Sequence, residues 1–265
     1  MKLLKRTIDQ LAIDDERSFR HVGLYQELKR VLHDDRFCFS VPEKGAADAT
    51  WDRVLFLNLT FWSASEPSDI LTEDRIAADV VAHTAWHHLA RRALPGALTA
   101  EGLFLGESIA SAFDLYLVGR LLGHTPNAMF LETQVPEMAE AAAVAGLHES
   151  GFEALLERVA ADPDRAFEDL REMLFDAATT LFACKNADEA ATALERFAAH
   201  PYAALLHHYE LSNWILYARA YAHPEIAMQE NTRARIRAID EALRAAPVSL
   251  DWLEENWIAG PTNSA

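Results

Sequence analysis

Two histidines on one predicted helix have the spacing of a metal site. His83 and His87 are four residues apart, so on an α-helix both imidazoles point from the same face, one turn apart. Two imidazoles in this arrangement can bind a single metal ion. His88, five residues after His83, points well away from that face, and we expect it either to stabilise a neighbouring residue or to lie exposed.

A carboxylate in a strongly apolar segment supplies a third candidate ligand. Glu107 lies among leucine, phenylalanine and isoleucine residues in the segment 103–116, and its helical face continues to Ser111 and Asp114. A carboxylate buried in such surroundings is unfavourable unless it is paired or coordinated. Three polar groups on one face of an apolar helix therefore predict a polar site.

Together these residues resemble the pattern of the gluzincin metallopeptidases. In that family HExxH on one helix is followed by a glutamate ligand on the next, and the nineteen residues between His87 and Glu107 give a gap similar to that of the thermolysin branch. The segment GESIASAFD around Glu107 also resembles the family's glutamate helix. The resemblance covers roughly residues 50–122. It implies that His83, His87 and Glu107 bind zinc, with a fourth position open to water.

The chain departs from this family at the residue that performs the chemistry. The family's catalytic glutamate directly follows the first histidine, where this chain has Thr84. A threonine hydroxyl can hydrogen-bond a metal-bound water but cannot deprotonate it near pH 7, which is the task of the general base. Ordinary peptidase activity is therefore not expected unless another carboxylate is the base. Around the ligands, Ser111 or Asp114 would orient a histidine.

A third cluster of polar residues lies much later in the chain. His207 and Glu210 are three residues apart and would share one face of a predicted helix, a pairing typical of metal sites in helical bundles. Packed against the first site, this helix would supply a second metal site or a transition-state donor such as Tyr209 or His208. We assign Glu210 and Tyr209 as candidate proton-transfer or oxyanion groups. The simpler interpretation, which the sequence favours, is a partly exposed helix with two surface histidines.

These residues support one leading hypothesis and three alternatives. The leading hypothesis is a metal-dependent enzyme, a noncanonical hydrolase that binds zinc and acts on a small-molecule or peptide substrate. A catalytically inactive zincin-like binding or scaffold protein would explain the loss of the general base. A non-haem iron or copper oxygenase would use the same two histidines and one carboxylate. In a purely structural interpretation, His83 and His87 are core histidines hydrogen-bonded to Glu107 and Asp114 without a metal.

Composition excludes several other classes of protein. The net charge of −17, with basic residues scattered along the chain, argues against nucleic acid as a partner. Two cysteines cannot form a disulfide framework. The N-terminus turns polar within a few residues, and no uncharged stretch approaches the ~20 apolar residues of a membrane span. We therefore expect a cytoplasmic protein without a membrane partner.

The elements that position these residues are predicted to be mostly helices. Alanine, leucine and glutamate dominate, while glycine and proline are sparse, which favours a mainly α (α+β) fold. We expect a multi-helical zincin-like domain with a small N-terminal β-sheet, and strands only before residue 65, at 36–41 and 53–62. Residues 1–125 would hold the sheet and the metal-site helices. Residues 126–265 would form a helical region packed with the first as one unit.

Caps, prolines and glycines set the predicted helix boundaries. Thr72 is expected to cap a helix that ends at Pro95-Gly96, and a second helix runs from Thr99 to Gly123. The other predicted helices cover 17–33, 127–133, 136–146, 149–161, 164–184, 187–199, 202–222, 225–245 and 249–258.

Overall fold

The structure is a computed structural model that describes residues 3–43, 70–94, 99–222 and 230–260. Helices dominate these residues, which confirms the mainly α fold with a small N-terminal β part. The chain divides into two compact units, Met1–His88 and Leu89–Ala265. The predicted boundary near residue 125 lies inside the second unit.

The first unit contains two small two-stranded sheets. Strand β1 (Leu3–Thr7) pairs antiparallel with β3 (Cys38–Pro42), and β2 (Ala12–Asp14) pairs parallel with β4 (Arg75–Ala77). Strand β3 confirms the strand predicted at 36–41, whereas the one predicted at 53–62 lies outside the described residues. The expectation that strands end before residue 65 is wrong, because β4 takes an extended conformation through pairing with the distant β2.

Each helix of the first unit starts later than predicted. A 3₁₀ turn occupies Glu16–Phe19, and helix α1 (Gly23–Asp34) follows with Tyr25, Leu28 and Leu32 buried on one face. Helix α2 (Ala78–Ala93) begins directly after β4. Thr72 therefore does not cap it, because the residues in between form a turn and then a strand.

The second unit is helical throughout the described residues. The helix predicted from Thr99 is confirmed as α3 (Ala100–Leu122), and the Thr99 hydroxyl accepts a hydrogen bond from the Gly102 amide. The other helices are α4 (Met129–Val144), α5 (Glu149–Ala161), α6 (Pro163–Ala183), α7 (Ala187–Glu195), α8 (Leu211–Tyr221), α9 (Glu230–Ala245) and α10 (Ser249–Leu253), which continues as a π-helical turn, Glu254–Ile258.

Several of the predicted helices in this unit have wrong boundaries. The helix expected at 187–199 ends at Glu195. The helices expected at 127–133 and 136–146 are the single helix α4, which continues through Pro136 because apolar residues on both sides of the proline are buried. The helix expected at 202–222 starts only at Leu211. Before it, the chain forms a 3₁₀ turn and then places Glu210 at a left-handed φ of 46°, a conformation that interrupts a right-handed helix.

Helix α3 is the centre of the second unit. It packs most extensively against α6, and α4, α5, α8 and α9 also contact it. At Gly119 the approach is so close that a β-carbon would lie 2.5 Å from the Val159 carbonyl oxygen. By length and composition α3 is apolar enough to cross a membrane, but 83% of its most apolar window is buried in the structure. This burial is typical of the core helix of a soluble protein.

A buried ion pair joins α6 to α9. The Arg171 guanidinium, only 1% exposed, donates a 2.7 Å hydrogen bond to the Asp240 carboxylate. Arg244 donates to the other oxygen of Asp240 at 2.8 Å and also contacts Glu172 and Asp176. Removing one member of a buried pair leaves an uncompensated charge, which costs more than losing an exposed pair.

We predict that Asp240→Asn lowers the free energy of unfolding by about 3–5 kcal/mol, because Arg171 keeps its charge without a counter-ion. Glu172→Gln is the matched control, since Glu172 is half exposed and contacts the same cluster through Arg244. It is expected to cost less than about 1 kcal/mol. Urea unfolding followed by circular dichroism measures both values. Equal losses in the two variants would show that the buried pair has no special role.

Candidate metal centre

Helix α2 holds the two histidines in the predicted arrangement. The Nε2 atoms of His83 and His87 are 3.1 Å apart, and the rings meet edge to face with their centroids 4.8 Å apart. Both side chains are partly buried, while Trp86 between them in sequence is fully buried. The apolar residues of α2 thus fix the helix, and the histidine face remains accessible to a small ligand.

Glu107 on α3 completes a group of three ligand atoms. One nitrogen of His83, one nitrogen of His87 and one carboxylate oxygen of Glu107 all lie within 4.8 Å of one another. Zinc bonds of 2.0–2.2 Å in a tetrahedron would place such atoms about 3.3–3.5 Å apart. The cluster therefore needs only small side-chain adjustments to bind one ion.

The donor set fits a transition metal rather than calcium or magnesium. Two imidazoles and one carboxylate suit zinc and non-haem iron, whereas calcium and magnesium prefer oxygen ligands alone. Within the described ranges, this is the one group of three histidine, cysteine or acidic side chains close enough to share an ion. Without a metal, the 3.1 Å contact between the two Nε2 atoms fits a hydrogen bond in which one imidazole donates to the other.

The three residues predicted to surround the ligands lie on the same two helices. Thr84 on α2 is 4% exposed, next in sequence to His83. On α3, Ser111 is buried and lies one turn after Glu107. Asp114 is partly buried and lies two turns after Glu107. A buried hydroxyl beside a ligand can orient a neighbouring group, but it cannot take up a proton near neutral pH.

Two side chains in the segment before α8 are influenced by the charge of Asp114. The Asp114 carboxylate acts electrostatically on both His208 and Tyr209, and the 3₁₀ turn Ala203–Leu205 of this segment packs against α4. His207 and Glu210 are exposed and do not share a helical face, because they lie in the turn before Leu211. Glu210 accepts a hydrogen bond from the side chain of Asn213 at the start of α8.

Burial sets the protonation states of Tyr209 and His208. Burial, together with the Asp114 carboxylate, raises the pKa of the Tyr209 phenol well above 10. Tyr209 therefore stays a hydrogen-bond donor at physiological pH. Burial lowers the pKa of His208, against the opposing influence of nearby carboxylates that include Asp114. His208 is thus held toward its neutral form.

His88 has a structural partner that sequence reasoning did not identify. Its Nε2 lies 2.7 Å from a carboxylate oxygen of Asp35, and its ring packs edge to face on Phe37. Of the two expectations for His88, the structure supports stabilisation of a neighbour. No local pattern could have indicated Asp35, since the two residues are 53 positions apart.

Comparisons of the chain with protein-family models, with curated proteins and with solved structures find no match. The resemblance to gluzincins therefore depends on the spacing of His83, His87 and Glu107 and on the way the structure brings these three residues together.

We predict that the second unit loses stability in mild acid because of a half-buried histidine, His200. Burial lowers the pKa of His200 below 6.5, and its Nδ1 accepts a hydrogen bond from the Tyr202 amide at 3.2 Å. The unfolded chain therefore binds this proton more readily, so the contribution is full above about pH 6.5 and is lost as pH falls through the folded pKa. His200→Gln should flatten the fall in unfolding free energy between pH 7 and pH 5.

His33→Gln is the control, since the exposed His33 beside Asp34 and Asp9 has a raised pKa and so the opposite pH dependence. Urea unfolding at several pH values tests this prediction. A His200→Gln curve parallel to that of the wild type would contradict it.

Proposed function

We propose that the protein is a zinc-dependent enzyme with a divergent zincin-like site, a noncanonical hydrolase whose metal is held by His83, His87 and Glu107. The observation that carries the proposal is the convergence of these three ligand atoms within 4.8 Å. The sequence separation of Glu107 from the histidines makes such convergence a tertiary feature rather than a consequence of helical spacing. We also propose a cytoplasmic location, because the chain is strongly acidic and its most apolar helix is buried.

The distance between the two imidazoles supports a metal over a purely structural histidine pair. At 3.1 Å, two neutral imidazoles can make one N–H···N hydrogen bond, which uses the lone pair of only one ring. A cation between the rings and the Glu107 carboxylate would use the lone pairs of both. The Glu107 carboxylate would add a negatively charged oxygen ligand, which suits a divalent cation.

Bound by three protein ligands, zinc would keep an open position, polarise a substrate carbonyl and lower the pKa of a water ligand. Side chains of the protein would orient the reacting groups and donate hydrogen bonds to them. Thr84 can orient a nearby group through its hydroxyl, while Tyr209 retains its proton and can donate to an oxygen that gains negative charge.

The proton acceptor must be a carboxylate at another position than in the gluzincins. We favour Asp114 over Glu210 because it lies on the helical face of Glu107 and its charge influences Tyr209. Glu210 is exposed and engaged with Asn213. The accessible histidine face suits a small-molecule or peptide substrate, and the charge of −17 disfavours nucleic acid.

Two other functions are supported by specific observations. Thr84 in place of the general base favours a catalytically inactive, metal-binding scaffold protein. The set of two histidines and one carboxylate favours a non-haem iron or copper oxygenase. The identity of the bound metal and the dependence of turnover on oxygen separate these candidates from a zinc hydrolase.

We predict that one equivalent of metal copurifies with protein prepared without a histidine tag and without added metal. His83→Ala, His87→Ala and Glu107→Ala should each remove it, because two remaining ligands hold an ion poorly. His88→Ala is the control on the same helix and should keep the metal, since His88 contacts Asp35. Elemental analysis by mass spectrometry gives the stoichiometry. Full metal content in both His83→Ala and His87→Ala would show that the assigned ligands are wrong.

We predict little or no wild-type hydrolysis of generic peptides, because Thr84 cannot act as a general base. Thr84→Glu places a carboxylate where gluzincins have one, and general base catalysis typically contributes ~10²–10⁴-fold. We therefore expect a chelator-sensitive gain in hydrolysis from Thr84→Glu and none from Thr84→Gln, which has the same size without a proton acceptor. Robust wild-type cleavage that a chelator abolishes would show instead that another residue is the base.

A further inference from the structure

A cavity in the second unit combines an apolar interior with a positive balance of charge. Its volume is about 480 Å³, within the range of small-molecule sites, and its walls belong to α3, α6, α8 and α9. Phe104 and Phe182 form part of the wall and pack edge to face with their centroids 5.5 Å apart. We call this cavity the arginine pocket.

The charges on the wall favour an anionic ligand. Among the described residues that line the arginine pocket, the charged ones are Arg219, Arg233 and Glu101. Their sum is one positive charge, in a chain whose net charge is −17. Arg233 is paired with Glu101 at 3.2 Å, so the excess charge is that of Arg219.

Arg219 lines the arginine pocket and makes only weak contacts with the residues around it. Its guanidinium lies 5.9 Å from the centre of the Phe182 ring and makes one long hydrogen bond, 3.5 Å, to the Cys184 carbonyl. A guanidinium has five N–H donors arranged to bind a carboxylate through two of them. Most of the donors of Arg219 thus have no partner within the described part of the chain. At the wall of the same cavity, the buried Thr179 hydroxyl has no hydrogen-bond partner among the described residues.

We propose that the arginine pocket binds a small monocarboxylate with an apolar body. The carboxylate would pair with Arg219, and the apolar body would contact Phe104 and Phe182. Thr179 would supply a hydrogen bond to a polar group on the ligand. This site is separate from the metal ligands, and the proposal does not depend on the metal-dependent activity.

Calorimetric titration of the full-length protein with decanoate and with decan-1-ol tests this proposal. The two probes share a chain length and differ in the carboxylate. We expect saturable binding of one decanoate per chain and about tenfold weaker binding of decanol. Protein stripped of metal with a chelator should bind decanoate equally well, which separates this site from direct coordination of the carboxylate to a metal.

Three variants assign the binding to the arginine pocket. Arg219→Gln should weaken decanoate binding about tenfold and leave decanol unchanged, whereas Arg237→Gln, an exposed arginine outside the pocket, should change neither. Ala183→Leu places a larger side chain at an exposed position of the wall and should weaken both probes. Circular dichroism and thermal melting confirm that each variant is folded. The proposal is overturned if binding does not saturate, if decanoate and decanol bind with equal affinity, or if chelation abolishes the binding of decanoate. It is also overturned if Arg219→Gln and Arg237→Gln bind decanoate with the same affinity.

Discussion

The packing of the second unit depends on the burial of α3 on nearly every side. Its apolar residues occur all round the helix, so no single partner can cover them, and five other helices contact it. Burial of this kind makes each polar side chain on α3 costly unless another group satisfies it. Glu107 and Asp114 are the acidic exceptions in its interior, and the structure gives each a polar surrounding.

The same constraint explains why the candidate chemistry gathers along one face of α3. A carboxylate oxygen of Glu107 lies within 4.8 Å of one nitrogen each of His83 and His87. Two turns further along α3, the charge of Asp114 influences the pKa values of Tyr209 and His208. Both carboxylates are partly buried, and the metal ion that we propose beside Glu107 would offset one of these negative charges. Thr84 occupies the position at which gluzincins have their catalytic glutamate, which changes the reaction that we propose but leaves the three proposed ligands in place.

Local sequence patterns correctly predicted the features that depend on neighbouring residues. They failed for the features that depend on contacts between residues distant in sequence. The spacing of His83 and His87, and the cap and stop of α3 at Thr99 and Gly123, are local and were confirmed. Strand β4 exists through its pairing with β2, more than sixty residues away, and Pro136 stays helical through tertiary burial. No glycine or proline near Glu210 indicated that the helix would be interrupted there by a left-handed residue. Neither the electrostatic influence of Asp114 on Tyr209 nor the charge balance around Arg219 could be read from the sequence.

We propose that His83, His87 and Glu107 share one metal ion. X-ray absorption spectroscopy at the zinc edge, on untagged protein, tests it most directly because the spectrum reports the atoms bound to the metal. We predict stoichiometric zinc with two imidazole nitrogens at about 2.0–2.1 Å, and with oxygen ligands at about 2.0–2.2 Å. A spectrum without imidazole scattering, or protein that binds no stoichiometric transition metal when one is supplied, would contradict it.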